Sequence, residues 1–308
     1  MIVLGVLVAA LVLPVVLTRR AGRHFRPRSW ATLVAASLVG ATSYAWLALV
    51  LLSAPVLLKV VAGTSLEGIC DRALRGLEPG GLALAWCATA LLVATTLAVA
   101  LGLYRSRRRR SPLRVPPEIG THVDQGDFDL VALPVATSIA YSLGGRRPQV
   151  VISDGLRSRL DDEGIAAVLA HEAVHVRSRH DRWLGVATLA TATLWFAPWV
   201  RRTGDALRVA LERWADEEAA RAVGRDTLRG ALLGAADVAP AGVAVAGLNG
   251  ADALLERLDM LDVAPRHAPV TFAFAAAAVS IVLAAAGLAT AAGGMSEVLA
   301  LLGRVCPI

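Results

Sequence analysis

The run Ala170-His171-Glu172-Ala173-Val174-His175 reads H-E-x-x-H. On an α-helix, positions i and i+4 lie about 40° apart around the axis, so His171 and His175 project from one face, one turn apart. Two neutral imidazoles at that separation can reach one zinc ion. Glu172, about 100° round from His171, can then serve as general base toward a water at the metal. The same letters also describe two solvated histidines on a charged helix, so the rest of the chain has to supply what a zinc site requires.

A catalytic zinc usually has three protein ligands and keeps a fourth position for water. The metzincin pattern would place a glycine and a third histidine where this chain has Ser178 and Asp181, so that class is not expected. A carboxylate from a later helix is the alternative. Glu212 and Asp216, in Leu211-Glu212-Arg213-Trp214-Ala215-Asp216, stand i, i+4 on one helical face. One could bind metal while the other accepts a hydrogen bond from a ligating imidazole. Spacing alone equally allows Glu212 an exposed ion pair, the reading given to Glu217 with Arg221 and to Arg213 with Glu217. His180 falls about 180° round from His171 and is no ligand unless the helix ends first. It either binds substrate, structures the helix end, or is simply favoured by the C-terminal dipole. His24, His122 and His267 lack a partner motif and read as surface residues.

The elements that must position these groups sit in an apolar chain. Of its 308 residues 56% are hydrophobic and 18% charged, with a mean hydropathy of +0.59. A soluble domain is nearer ~45–50% apolar and ~25% charged, so a membrane protein is expected. The net charge of +6 comes largely from arginines beside long apolar runs, which mark orientation in a bilayer, and direct nucleic-acid binding is not expected. Cys70, Cys87 and Cys306 form no C-x-x-C, which excludes a cysteine zinc knuckle.

Residues 1–17 form an apolar run followed by Arg19, Arg20, Arg23, Arg26 and Arg28, which reads as an uncleaved span with its N-terminus outside. A second run, 30–61, exceeds the ~20 residues needed to cross and must tilt, kink at Pro55 or extend beyond the bilayer. A third, 81–104, stops at Arg105 and Arg107 to Arg110, placing the chain beyond it in the cytoplasm. After the proline linker 111–117, residues 136–143 and 149–153 read as a hairpin. Asp161-Asp162-Glu163 opens the helix that carries the motif. The apolar element 183–200 has arginines on both sides, so it is expected to be re-entrant, interfacial or a helix buried against the other spans, rather than a crossing. Residues 203–223 form a helix capped by Gly224, and 226–265 are helical around Leu254 to Leu261. A final span, 268–292, leaves 293–308 outside. The expected division is therefore 1–110 (three spans), 111–266 (cytoplasmic domain) and 267–308 (last span and external tail). In that topology Cys70 and Cys306 share the exterior, as a disulfide or as two free thiols.

The run V-V-I-S-D-G-L-R-S-R-L-D-D-E-G-I-A-A-V-L-A-H-E-A-V-H-V-R-S-R-H-D from Val150 to Asp181, followed by E-R-W-A-D at Glu212 to Asp216, resembles the membrane zinc peptidases of the BlaR/MecR family. It is similar also to the HtpX and CAAX prenyl protease families. The resemblance implies a multi-pass α-helical membrane protein with a cytoplasmic α+β zincin-like (gluzincin) metalloprotease domain. It implies zinc ligands at His171, His175 and Glu212, a base at Glu172, and a supporting role for Asp216 beside the ligands. It further implies a protein substrate, such as a cytoplasmic transcriptional repressor whose cleavage derepresses antibiotic-resistance or stress genes, with self-association open. The external penicillin-binding domain of that family and an S-x-x-K acylation motif are not seen in this sequence, so direct β-lactam sensing is not expected. The alternatives are an HtpX-like quality-control protease and a non-catalytic, zinc-stabilised signal transducer.

Overall fold

The computed structural model of the chain describes residues 25–62, 81–110, 113–236 and 250–262. Two long helices come first, α1 (Pro27–Ala62) and α2 (Gly81–Arg110). Both are long and apolar enough to cross a membrane: an 18-residue window within Pro27–Ala54 has a mean hydropathy of 1.8, and one within Ala85–Arg108 has 2.0. They pack on one another.

A four-stranded sheet comes next: β1 (Thr121–Asp124), β2 (Asp129–Leu133), β3 (Ala140–Leu143) and β4 (Gln149–Ser153), in the order β1-β2-β4-β3. β2 and β4 run parallel, while the outer pairs are antiparallel. The β-branched run Val150-Val151-Ile152 is buried, as expected of a central strand covered on both faces. The hairpin expected from sequence is present, but its first strand begins at Ala140 rather than Ala136, and β1 and β2 are additional. The proline linker docks on the sheet through Gln149, whose side chain exchanges two hydrogen bonds with the backbone of Val115, at 3.2 and 3.0 Å.

After the single turn α3 (Asp154–Arg157), the motif helix α4 spans Asp162–Arg177. Its start is fixed by Asp161, whose carboxylate accepts the Gly164 N–H at 2.8 Å. Ala173 and Val176 press α4 onto Phe128 and Val150 of the sheet. The helix ends where Arg179 adopts a left-handed conformation, φ 53°, which is uncommon for a residue with a side chain. α5 (His180–Thr193) then leaves in a new direction, and α6 (Pro198–Val223) returns along it. The apolar element expected at 183–200 is thus most of α5, a bend at 194–197, and the first residues of α6. Gly224 (φ 95°) ends α6, and α7 (Arg225–Ala236) and α8 (Gly250–Asp262) complete the described chain.

The largest core joins the first half of α1 (Trp30, Val34, Leu38) to α5 (Ala187, Ala190) and α6 (Val200, Leu207, Leu211, Trp214). A second joins Ala167 of α4, Ala219 and Ala220 of α6, Leu228 and Leu232 of α7 and Leu261 of α8. The alanines let α4 and α6 approach closely, which brings their two motifs face to face. The spans expected at 1–17 and 268–292 lie outside the described residues, as do Cys70 and Cys306.

Candidate active site

His171 and His175 lie a turn apart on α4 and turn their Nε2 atoms toward each other, 3.2 Å apart. Glu212 of α6 faces both, with Oε2 3.5 Å from His171 Nε2 and Oε1 3.6 Å from His175 Nε2. Ligands at ~2.0–2.1 Å around a tetrahedral zinc stand about 3.3 Å from each other. The three side chains, whose ligand atoms all fall within 4.8 Å, could therefore hold one metal ion. Two further features favour that fit. Glu212 Oε2 is buried and accepts no hydrogen bond, and two imidazole nitrogens facing each other at this distance repel unless a proton or cation lies between them.

Each imidazole is held from behind. His171 Nδ1 lies 3.0 Å from Oδ1 of the buried Asp216. A carboxylate only accepts, so a proton on His171 Nδ1 would face Asp216, in a close contact whose angle falls outside hydrogen-bond geometry, and would leave Nε2 open to an ion. His175 Nδ1 lies 3.0 Å from Nδ1 of His180, which is fully buried and tilted against Trp214 with ring centroids 4.8 Å apart. The left-handed Arg179 makes this contact by ending the helix early, so His180 is not on the far side of α4. It backs His175 and is not one of the three side chains that could hold the ion.

Asp216 is in turn clamped by Arg257 of α8, whose Nε and Nη2 donate to its two oxygens at 2.9 and 2.6 Å. Arg257 is itself buried, and its Nη1 is 3.8 Å from Glu212 Oε2. Sequence reasoning missed this residue. The available signal was an arginine set within an apolar stripe, Leu254, Leu258 and Leu261, on a helix that exposes Glu256, Asp259 and Asp262.

The charges are interlocked. Burial alone would lower the His171 pKa, but Asp216 and Glu212 outweigh it and raise the imidazole to about 9. Burial works to raise the Glu212 carboxyl, and His171 and His175 overcome that, holding it well below its usual range. Burial likewise opposes ionisation of Asp216, where Arg257 prevails. His180 is pushed down to about 3, first by burial and then by His175, and so stays neutral.

Glu172 is buried beside this cluster. With His171, Arg257 and Ser138 it lines a cavity of about 50 Å³ whose other walls are apolar, among them Ala140 of β3, Leu156, Val168 and Leu232. Asp181, by contrast, packs against Gly144 of the β3–β4 turn. Arg213 is buried, so it is not one of the exposed pairs expected on α6. Glu217 pairs with Arg221 as expected, at 3.1 Å, and also with Arg225.

A family model described as BlaR1 peptidase M56 matches residues 78–261, more than half of the chain. The chain belongs to that family. The matched M56 region runs from α2 to α8 and so takes in H-E-x-x-H, the acidic pair on α6 and Arg257 together. A curated relative, the protease HtpX homolog of Methanopyrus kandleri, is 34% identical over 80 residues. That match covers 23% of this chain and 25% of the relative, so the chain spans about a quarter of the length of the relative it matches. No solved structure matches the chain significantly. Membership places the chain in a family of membrane metallopeptidases, and its two apolar helices accord with that family.

Proposed function

We propose that the chain is a zinc endopeptidase that cuts peptide bonds on the cytoplasmic side of a membrane. His171, His175 and Glu212 are the ligands and Glu172 is the base. The observation that carries this reading is the Glu172 carboxylate beside the His-His-Glu cluster, in the wall of an apolar cavity. A purely structural metal has no use for a base there. A divalent ion held by the three ligands supplies Lewis acidity, polarising a carbonyl and acidifying a water. The chain's own residues do the rest. Glu172 takes the proton of the attacking water and passes it to the departing amine. Asp216 and His180 back the two imidazoles, and Arg257 keeps Asp216 ionised. β3 is an edge strand with Ala140 in the cavity wall, so an extended substrate can add alongside it.

By family, the substrate is a cytoplasmic regulator such as a transcriptional repressor, cleaved in a signalling response. Membrane-protein quality control is the second reading, favoured by the local identity to an HtpX homolog.

The test compares the cytoplasmic proteins of cells expressing the wild type and Glu172→Gln. Fragments that appear only with the wild type support the assignment. Identical fragments with both would remove Glu172 from the chemistry.

A further inference from the structure

The bend between α5 and α6 exposes two aromatic side chains in succession, Trp195 and Phe196, at 48% and 54%. Neither touches the His-His-Glu cluster or its cavity. Arg201 and Arg202 come one turn later, also exposed, and Arg201 reaches back to the Trp195 carbonyl at 3.3 Å.

Two contacts fix the level of this tip against the long helices. Trp46 of α1 donates from Nε1 to Thr193 Oγ1 at 3.2 Å. Gly102 of α2 abuts Ala192 so closely that a Cβ there would stand 3.3 Å from the alanine Cβ. On α1 that level is marked by Tyr44 and Trp46. On α2 it is marked by exposed Tyr104 and then Arg105, Arg107 and Arg108, with Arg108 over the Tyr104 ring. Three separate elements thus carry aromatics at one height, and two of them, α2 and the α5–α6 tip, add arginines, the pattern of a membrane–water boundary.

The first half of α1 fits an aqueous position below that height. Trp30, Val34 and Leu38 are buried against α5 and α6 rather than offered to lipid. The neighbouring α6 exposes Arg201, Arg202, Asp205 and Arg208 along the same stretch, and exposed charges there are incompatible with hydrocarbon.

We infer that the α5–α6 tip is a membrane-interface anchor: Trp195 and Phe196 seat at headgroup depth and Arg201 and Arg202 pair with anionic lipid phosphates. On this placement α1 enters the bilayer only near Tyr44, and its first half is a cytoplasmic stalk. The rise of α5 from His180 to Thr193 then holds the His-His-Glu cluster about 20 Å below the membrane surface. A peptide bond inside the bilayer is out of its reach. A membrane-tethered substrate needs about six extended residues between the surface and the cleaved bond.

The test uses the full chain with Cys70, Cys87 and Cys306 replaced by serine, in phosphatidylethanolamine–phosphatidylglycerol vesicles. Single spin labels are placed by Phe196→Cys, Trp195→Cys, Leu97→Cys and Val209→Cys, all at exposed positions. Power saturation with oxygen and a nickel chelate reads depth, and needs no activity. Labels at 195 and 196 are expected at headgroup depth, shallower than 97, with 209 in water. A tip as accessible to nickel as 209 would overturn the anchor. A tip as deep as 97 would overturn it too, in favour of a re-entrant hairpin.

Discussion

The Nδ1 atoms of His175 and His180 face each other at 3.0 Å across the break between α4 and α5. One proton is shared along that line. If His175 gives its Nε2 lone pair to a metal, it must donate from Nδ1, and His180 must accept. His180 Nε2, which then carries the proton, is buried without a partner. The protein tolerates an unsatisfied donor, a cost of about 1–3 kcal/mol, to keep this acceptor in place.

His180→Phe keeps a ring on Trp214 but removes the acceptor. Losing such a support typically weakens metal binding by about 10–100-fold. Competition against a zinc indicator should show that drop in the folded variant, with His180→Asn recovering part of it. Unchanged affinity in the phenylalanine variant would leave His180 a packing residue only.

Arg257→Met strips the cation from a buried carboxylate. Breaking one side of such a pair costs roughly 3–5 kcal/mol, because the remaining charge stays uncompensated. The denaturation midpoint of the metal-free protein should fall sharply. Asp216→Asn added to Arg257→Met should restore much of it. A single variant that unfolds at the wild-type midpoint would contradict the clamp.

Proton and metal compete for His171. Its pKa rises from an ordinary 6.5 to about 9 in the metal-free protein. The charged form therefore stabilises that fold fully below pH 6.5, and the contribution is lost as pH climbs through about 9. Chelator-treated protein should melt at a lower temperature at about pH 9.5 than at about pH 7. Metal affinity should move the opposite way, rising up to about tenfold per pH unit until His171 has lost its proton. A melting temperature flat across that range would show that Asp216 and Glu212 do not hold the imidazole charged.

Ala231 lines the cavity from α7, opposite the sheet. Ala231→Phe should fill a space of about 50 Å³ and overpack the wall, at a cost of about 1–3 kcal/mol. Cleavage of a peptide substrate should be lost while bound zinc per chain stays at the wild-type level. Full activity in the variant would show that substrate does not use this cavity.

Local physics was enough to read the helix around His171 and His175, its Asp161 cap, the later helix with Glu212 and Asp216, and its Gly224 stop. Each rests on residues within a few turns of one another. What stayed hidden depends on distance or on conformations the residue type does not advertise. An arginine at φ 53° gives no warning that the helix ends, so the spacing of His180 pointed it away from His175. β1 and β2 are short, and only the pairing of β2 with the apolar β4, and of the largely exposed β1 with β2, makes them strands. Arg257 meets Asp216 across 41 positions of sequence, which periodicity cannot register.

The clasp on the two acids is carried by neither helix that bears the motifs. Beyond the apolar contact of Leu261, α8 is held by the buried Arg257 at Asp216, by Arg225 at the Leu261 carbonyl and by Arg229 at Asp262. The frame of α4 and α6 closes through its alanines without it. The most electrically demanding joint in the molecule is thus fastened by its last described helix, so harm done far along the chain is felt first where the ion would sit.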